Sequence, residues 1–112
     1  MAFENAIEQY LAECFAREEP PRASELAARC GLTPTQLTRA LQRERGIRPA
    51  DYLKTRQVEL ARRLLEMTEL NTTEIAYRAG FGTRATFFRA FRRITGETPA
   101  QFRETPHPSE AP

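Results

Sequence analysis

Two stretches of the chain repeat each other, and this internal repeat constrains the fold more than any other feature of the sequence. SELAARCGL at residues 24–32 matches TEIAYRAGF at residues 73–81, an offset of 49. After one inserted residue the offset becomes 50, pairing LTRAL at residues 37–41 with FFRAF at residues 87–91. The same offset pairs Gly46 with Gly96, Pro49 with Pro99 and Tyr52 with Phe102. Each unit reads as a short helix, a Gly turn, a second helix, a Gly stop and a Pro-started third helix. Two helices joined by a tight Gly-containing turn form a helix-turn-helix, whose second helix can enter a DNA major groove. A single such unit would be a weak signal; two copies at matched offsets, both rich in Arg, are much stronger.

Start and stop signals support an all-α fold of seven helices. Over residues 3–17 the apolar positions Phe3, Ile7, Tyr10, Leu11, Cys14 and Phe15 keep a helical period, and Pro20-Pro21 is expected to end that helix. A short helix over residues 23–30 closes at Gly31. Thr33-Pro34 opens a third, with Thr33 as N-cap, Pro34 at the first helical position and Gln36 completing a capping box. It runs to about Arg45 and stops at Gly46. A long helix over residues 49–67 carries Leu53, Leu60, Ala61, Leu64 and Leu65 on one side. Asn71 and Glu74 cap a fifth helix ending at Gly80, Thr83 caps a sixth that stops at Gly96, and Thr98-Pro99 with Gln101 opens a last short one. Alternating β patterns are absent. Residues 1–104 therefore read as one domain: a first unit over 22–46, a connecting helix over 49–67 and a second unit over 71–96. Residues 105–112, including His107, are expected to be a disordered tail.

With 112 residues the chain is too short for a large multidomain enzyme, and its 40% hydrophobic and 29% charged residues are those of an ordinary globular sequence. Its net charge of +2 hides a division by position. Residues 1–32 carry three Arg against six Glu. Residues 33–63 carry eight Lys or Arg against three acids, and residues 74–104 six Arg against three Glu. Basic stretches of this kind favour an anionic partner, most commonly nucleic acid. The acidic N-terminal helix is read as a solvated face turned away from phosphate. No basic n-region opens the chain, and no apolar run approaches the roughly 20 residues of a bilayer span, so no membrane partner is expected. Cys14 and Cys30 lack a CxxC setting and read as buried, reduced thiols of a cytoplasmic protein. One His, no Cys cluster and no Gly-rich phosphate loop leave catalytic or metal chemistry almost nothing to work with, so no enzyme activity, metal or cofactor is expected.

The second helix of each unit carries the candidate chemistry. Leu37 and Leu41 face inward in the first, leaving Thr35, Gln36, Thr38, Arg39, Gln42 and Arg43 to the exposed directions. Phe87 and Phe91 play the inward role in the second, leaving Arg84, Ala85, Thr86, Phe88, Arg89, Arg92 and Arg93. N-terminal residues of a recognition helix reach base edges: Arg can bond guanine twice, Gln can pair with adenine, and Thr can offer its methyl to thymine. Thr33 and Thr83 sit where helix N-termini meet phosphate, although both would be caps in any protein. Arg43, Arg45, Arg92 and Arg93 lie toward helix C-termini, which suits phosphate contact or a solvated face better than base reading. Phe81, Phe87, Phe91 and Phe102 repeat the apolar face and read as core. Phe88 has two open readings, a second core face or an exposed wedge against DNA. Arg62-Arg63, followed by Glu66, reads as an intrahelical ion pair. The connecting helix, roughly 28 Å long at 1.5 Å per residue, could set two reading heads about one duplex turn (roughly 34 Å) apart.

The motifs LTPTQLTRAL, RPADYL, ELARRLLEMT and TEIAYRAGFGTRATFFRAFRRITGETPAQFR resemble those of the DNA-binding domain of the AraC/XylS family of bacterial transcription regulators. The resemblance covers about residues 22–104, and residues 3–17 are similar to the family's opening helix. It implies seven helices with two helix-turn-helix units joined by a long helix, activating or repressing genes. It also implies base-reading places at Thr35, Thr38 and Arg39 and at Arg84, Ala85, Thr86 and Arg89, with Thr33 and Thr83 at phosphate-facing helix starts. The sequence departs from the family at Phe88, where a small polar residue is usual, at Leu41, where Phe is usual, and at Gln57-Val58, where Arg-Leu is common. Ala85 brings no hydrogen-bonding group. The resemblance covers the DNA-binding domain alone, so the chain is expected to be similar to small stand-alone members or to be a fragment. The expected function is sequence-specific binding of double-stranded DNA, by a monomer whose two heads are covalently linked. The alternative is a helical interaction module, for example with RNA polymerase, having only non-specific DNA affinity.

Overall fold

The computed structural model describes residues 3–104, so the expected tail at 105–112 lies outside the described residues. Among them are seven helices and no strand: α1 (Glu4–Arg17), α2 (Ala23–Arg29), α3 (Pro34–Arg45), α4 (Pro49–Met67), α5 (Thr72–Arg78), α6 (Arg84–Thr95) and α7 (Pro99–Glu104). The local signals act where the sequence put them. Thr33 Oγ1 accepts from the Gln36 N–H while Gln36 Oε1 accepts from the Thr33 N–H, and Asn71 and Glu74 make the same reciprocal pair. Thr83 Oγ1 accepts from the Thr86 N–H, and Thr98 and Gln101 close a further box. Each cap satisfies donors that the first helical turn would leave without partners.

One stop falls at Arg17, where it was expected, but is made by a different residue. α1 ends before Pro20-Pro21, because Glu18 adopts a left-handed conformation at φ 56° and the chain turns there. The Glu19 N–H donates to Cys14 O at 2.9 Å and the Glu18 N–H to Phe15 O at 3.1 Å, closing the helix end on itself. The prolines therefore lie in the α1–α2 linker rather than at the break.

Two hydrophobic cores share α4. Its N-terminal half contributes Tyr52 and Leu53 to a core with Ile7, Leu11, Leu26, Leu37 and Leu41. Its C-terminal half contributes Val58, Ala61 and Leu65 to a core with Ile75, Phe81, Phe87, Phe91 and Phe102. In the second core the aromatic rings run in series, Phe81–Phe87 at 5.3 Å, Phe87–Phe91 at 5.6 Å and Phe91–Phe102 at 5.4 Å between centroids. Burying each such ring contributes about 1.5–3 kcal/mol. The first core has Leu32, Leu37, Leu41 and Tyr52 at the repeat-equivalent places. α3 and α6, the second helices of the two units, both pack on α4. The molecule is elongated, 41 × 27 × 24 Å.

Candidate nucleic-acid interface

The interface is built by the capped N-termini and outer faces of α3 and α6. Leu37, Ala40 and Leu41 anchor α3, and Phe87, Ala90 and Phe91 anchor α6. That anchoring leaves Thr33, Thr35, Gln36, Thr38, Arg39, Gln42 and Arg43 exposed in the first unit. In the second it leaves Thr83, Arg84, Ala85, Arg89, Arg92 and Arg93 exposed, with Thr86 half-buried.

Not all of these groups are equally free to read bases. Gln36 Oε1 is held by the Thr33 N–H at 2.9 Å, so a two-bond pairing with adenine would break the capping box. Thr38 Oγ1 donates to Pro34 O at 3.0 Å, which leaves its methyl and oxygen lone pairs for an outside partner. Thr83 Oγ1 donates to Thr86 Oγ1 at 2.9 Å, joining the cap to the first turn of α6. Arg84 lies back along its own helix: its guanidinium sits 4.3 Å from the Phe88 ring centroid and its Nε donates to Thr72 Oγ1 at 3.3 Å. Phe88 is half-buried, packed against the second core and edge-on to Phe87 at 5.8 Å and 86°. Of its two sequence readings the structure favours the core, with Arg84 covering the ring.

Three arginines are paired off along α1. Arg29, Arg45 and Arg56 face α1 and are neutralised there: Arg29 pairs with Glu13, Arg45 with Glu4 at 3.4 Å, and Arg56 with Glu8. Arg56 Nη2 donates to Glu8 Oε1 at 2.7 Å and Nη1 to Tyr52 Oη at 3.0 Å. The hydrogen bond from Arg56 holds the Glu8 carboxyl below its ordinary value, against a smaller upward push from burial. The acidic face of α1 is therefore not merely solvated, as the sequence suggested; it neutralises the first unit on the side of α1. By contrast Arg39, Arg43, Arg89 and Arg92 make no ion pair among the described residues, and Arg93 reaches Asp51 only at 3.9 Å. The expected pairing of Arg62 or Arg63 with Glu66 does not form. Arg62 lies over the Phe102 ring at 5.4 Å instead, since packing on α7 draws it away.

Two contributors escaped the sequence reading. Lys54 of α4 joins Thr86, Arg89 and Arg93 around a cleft of about 280 Å³, placing a fourth-helix cation beside the second recognition helix. Its only sequence signal was membership of the basic stretch. Arg103 donates to Leu65 O, Thr68 O and Leu70 O at 3.1, 3.1 and 2.6 Å, fastening the α4 C-terminus and the α4–α5 loop beneath that helix. Elsewhere the chemistry is quiet. Cys14 is buried and Cys30 half-buried, both free, and burial pushes both thiols up so that they stay protonated. Among the described residues no His, Cys, Asp and Glu cluster could hold a metal, and no helix is long and apolar enough to cross a membrane.

Residues 26–105 match the family described as the helix-turn-helix domain. The chain belongs to this family, in its AraC type. It is 41% identical over 83 residues to the HTH-type transcriptional regulator Rv1931c of Mycobacterium tuberculosis, covering 74% of this chain and 32% of that protein. The chain thus spans about a third of that curated relative. Among solved structures it is similar to the DNA-binding domain of AdpA, a global transcriptional factor, in complex with a target DNA. There the TM-score is 0.73 at 32% identity, covering 84% of this chain and 89% of that one. It is also similar to the C-terminal domain of AraT, a response regulator from Geobacillus stearothermophilus, with TM-score 0.79 and 27% identity over 100% and 94% of the two chains. The AraC-type fold and the repeat read from the sequence coincide: α2–α3 and α5–α6 are its two helix-turn-helix units.

Proposed function

We propose that this AraC-type chain is a transcription regulator that binds double-stranded DNA sequence-specifically, inserting α3 and α6 into successive major grooves. The observation that carries the reading is the set of unpaired arginines on the outer faces of the two repeat-equivalent helices α3 and α6. α1 pairs off the arginines that face it, while Arg39, Arg43, Arg89 and Arg92 on the recognition helices keep unpaired charge. Unpaired guanidiniums on the outer faces of two helices suit phosphates and guanine edges. In this reading Thr35, Thr38 and Arg39 read the first groove, and Arg89 with Thr86 reads the second. Arg84, braced on Phe88, and Ala85 border that groove. Thr33, Thr83, Arg43, Arg92 and Arg93 hold phosphate, and Gln36 serves the α3 cap rather than a base. The two heads share one chain, so the bound form is a monomer and needs no cofactor. Selection of duplex DNA from a random pool, with affinity of the winners followed across salt concentration, tests this. Enrichment of a motif with two blocks about one helical turn apart supports it. Binding that enriches no motif and simply fades with salt overturns it.

A further inference from the structure

The two units of the repeat are not equivalent at their turns, and the difference lies where one unit meets the other. Gly31 and Gly80 are repeat partners, both left-handed, at φ 70° and 77°. A Cβ on Gly31 would meet nothing within 4 Å. A Cβ on Gly80 would lie 2.9 Å from Glu19 O and 3.5 Å from Gln57 Nε2. A Cβ on Gly82, two residues on, would be 3.7 Å from Pro20 Cγ. The α1–α2 linker of the first unit is thus seated on the α5–α6 turn of the second, and only a residue without a side chain admits that approach. Beneath the contact is Gln57, in the middle of α4, whose side chain is the buried polar one of the described core at 5% exposure. Its Nε2 donates to Ala79 O at 3.1 Å, and Ala79 is the residue that ends α5.

We infer that Gln57, Gly80 and the Glu19-Pro20 linker form an interlock that fixes the pose of α6 relative to α3, and so sets the separation of the two DNA blocks that the chain accepts. Three features support this over simple core filling. The two hydrophobic cores are separate clusters that share α4 alone, so apolar packing by itself leaves a hinge about the middle of that helix. Gln57 lies at that middle, between Leu53 of the first core and Val58 of the second. An amide hydrogen bond to a carbonyl is directional where apolar packing is not, so it holds an angle as well as a contact. Gln57 is therefore a positioning residue: it reaches no exposed face and acts through α5. The consequence for block spacing rests on the two-groove reading proposed above; the interlock itself does not.

The test has a DNA-free arm and a DNA arm. Spin labels go on the exposed, DNA-remote positions Glu44→Cys of α3 and Ile94→Cys of α6, in a Cys14→Ala, Cys30→Ser background. Pulsed electron resonance then gives the distance distribution between the two recognition helices. One narrow distance is expected without further substitution, and a broadened or shifted one in Gln57→Met, which keeps the volume and loses the donor. Gly80→Ala should do the same, whereas Gly31→Ala, which shares the backbone strain but not the contact, should leave the distribution unchanged. If Gln57→Met holds the narrow distance, the interlock is refuted, even where Gly80→Ala fails to fold. In the DNA arm, affinity for the selected two-block duplex is compared with a duplex whose blocks are one base pair further apart. Gln57→Met should cut that preference about tenfold, whereas a purely structural role lowers both affinities together and leaves the ratio intact. Loss of spacing preference in the unsubstituted protein, with a distance distribution that still responds to Gln57→Met, would keep the interlock and overturn the two-groove reading.

Discussion

Arg39 and Arg89 occupy repeat-equivalent positions and are exposed, without ion pairs among the described residues. Arg39→Ala or Arg89→Ala should each cost about 1–3 kcal/mol of specific binding and relax preference at particular base pairs, seen by titrating single-base variants of the selected site. If Arg39→Ala and Arg89→Ala bind each site variant as tightly as the unsubstituted protein binds that variant, both leave the reading set. Gln36→Ala should behave differently. Its side chain is committed to the capping box, so folding stability should fall by about 1 kcal/mol in a denaturant titration while base preference stays put. Arg103 shows the limit of sequence reading at this scale. Thr33 with Gln36 and Asn71 with Glu74 are legible because their partners sit three residues away. The three carbonyls that Arg103 bonds lie 33 to 38 residues upstream, a distance no local pattern spans. Arg103→Ala should cost about 1–3 kcal/mol of stability, read by thermal and denaturant melts, and Arg103→Lys should recover only part, since one ammonium cannot reproduce a fork of donors.

At the scale of elements, the helices were legible because their signals are local: side-chain caps on α3, α5, α6 and α7, Pro49 at the start of α4, and apolar period or a Gly stop on the rest. The acidic run of α1 was legible as charge but not as contact, because Glu4, Glu8 and Glu13 find arginines on three other helices. This pairing makes α1 a cover for the positive charge that faces it from α2, α3 and α4, while the outer-face arginines Arg39, Arg43, Arg89 and Arg92 stay unpaired among the described residues. Replacing the three glutamates by glutamine should free Arg45 and Arg29 and leave Arg56 only its 3.4 Å pair with Glu59, raising affinity for unrelated DNA at low salt and steepening its salt dependence. Each exposed pair contributes less than about 1 kcal/mol to folding, so the variant should remain folded. Acid should weaken the same cover. The folded-state value of Glu8 lies below its ordinary 4.5, so the stabilisation from its pairing is present above that value. It is lost as pH falls through the depressed folded-state value. Melting temperature followed down through this range should drop less steeply in Glu8→Gln than in the unsubstituted protein, and identical acid profiles would show that the pair carries no linkage.

In the reading proposed above, the whole molecule is a tandem of two heads on one 41 Å body, long enough to span the roughly 34 Å of a duplex turn. Linking two heads makes the second contact intramolecular, so the pair can bind about 10²–10⁴ more tightly than either head alone without any new contact. A duplex carrying one block of the selected motif should therefore lose about that factor, and the slope of log affinity against log salt should fall toward half, because about half the phosphates are engaged. Lys54 extends the argument to the space between the heads. It lies on the shared helix and faces the same cleft as Arg89 and Arg93. Lys54→Gln should weaken the two-block duplex by an amount independent of base sequence and reduce the salt slope by about one ion. On the isolated first block it should have no effect. Titration of both duplexes at several salt concentrations separates these terms, and a Lys54→Gln penalty of equal size on the first block alone would place that cation with the first head rather than with the second.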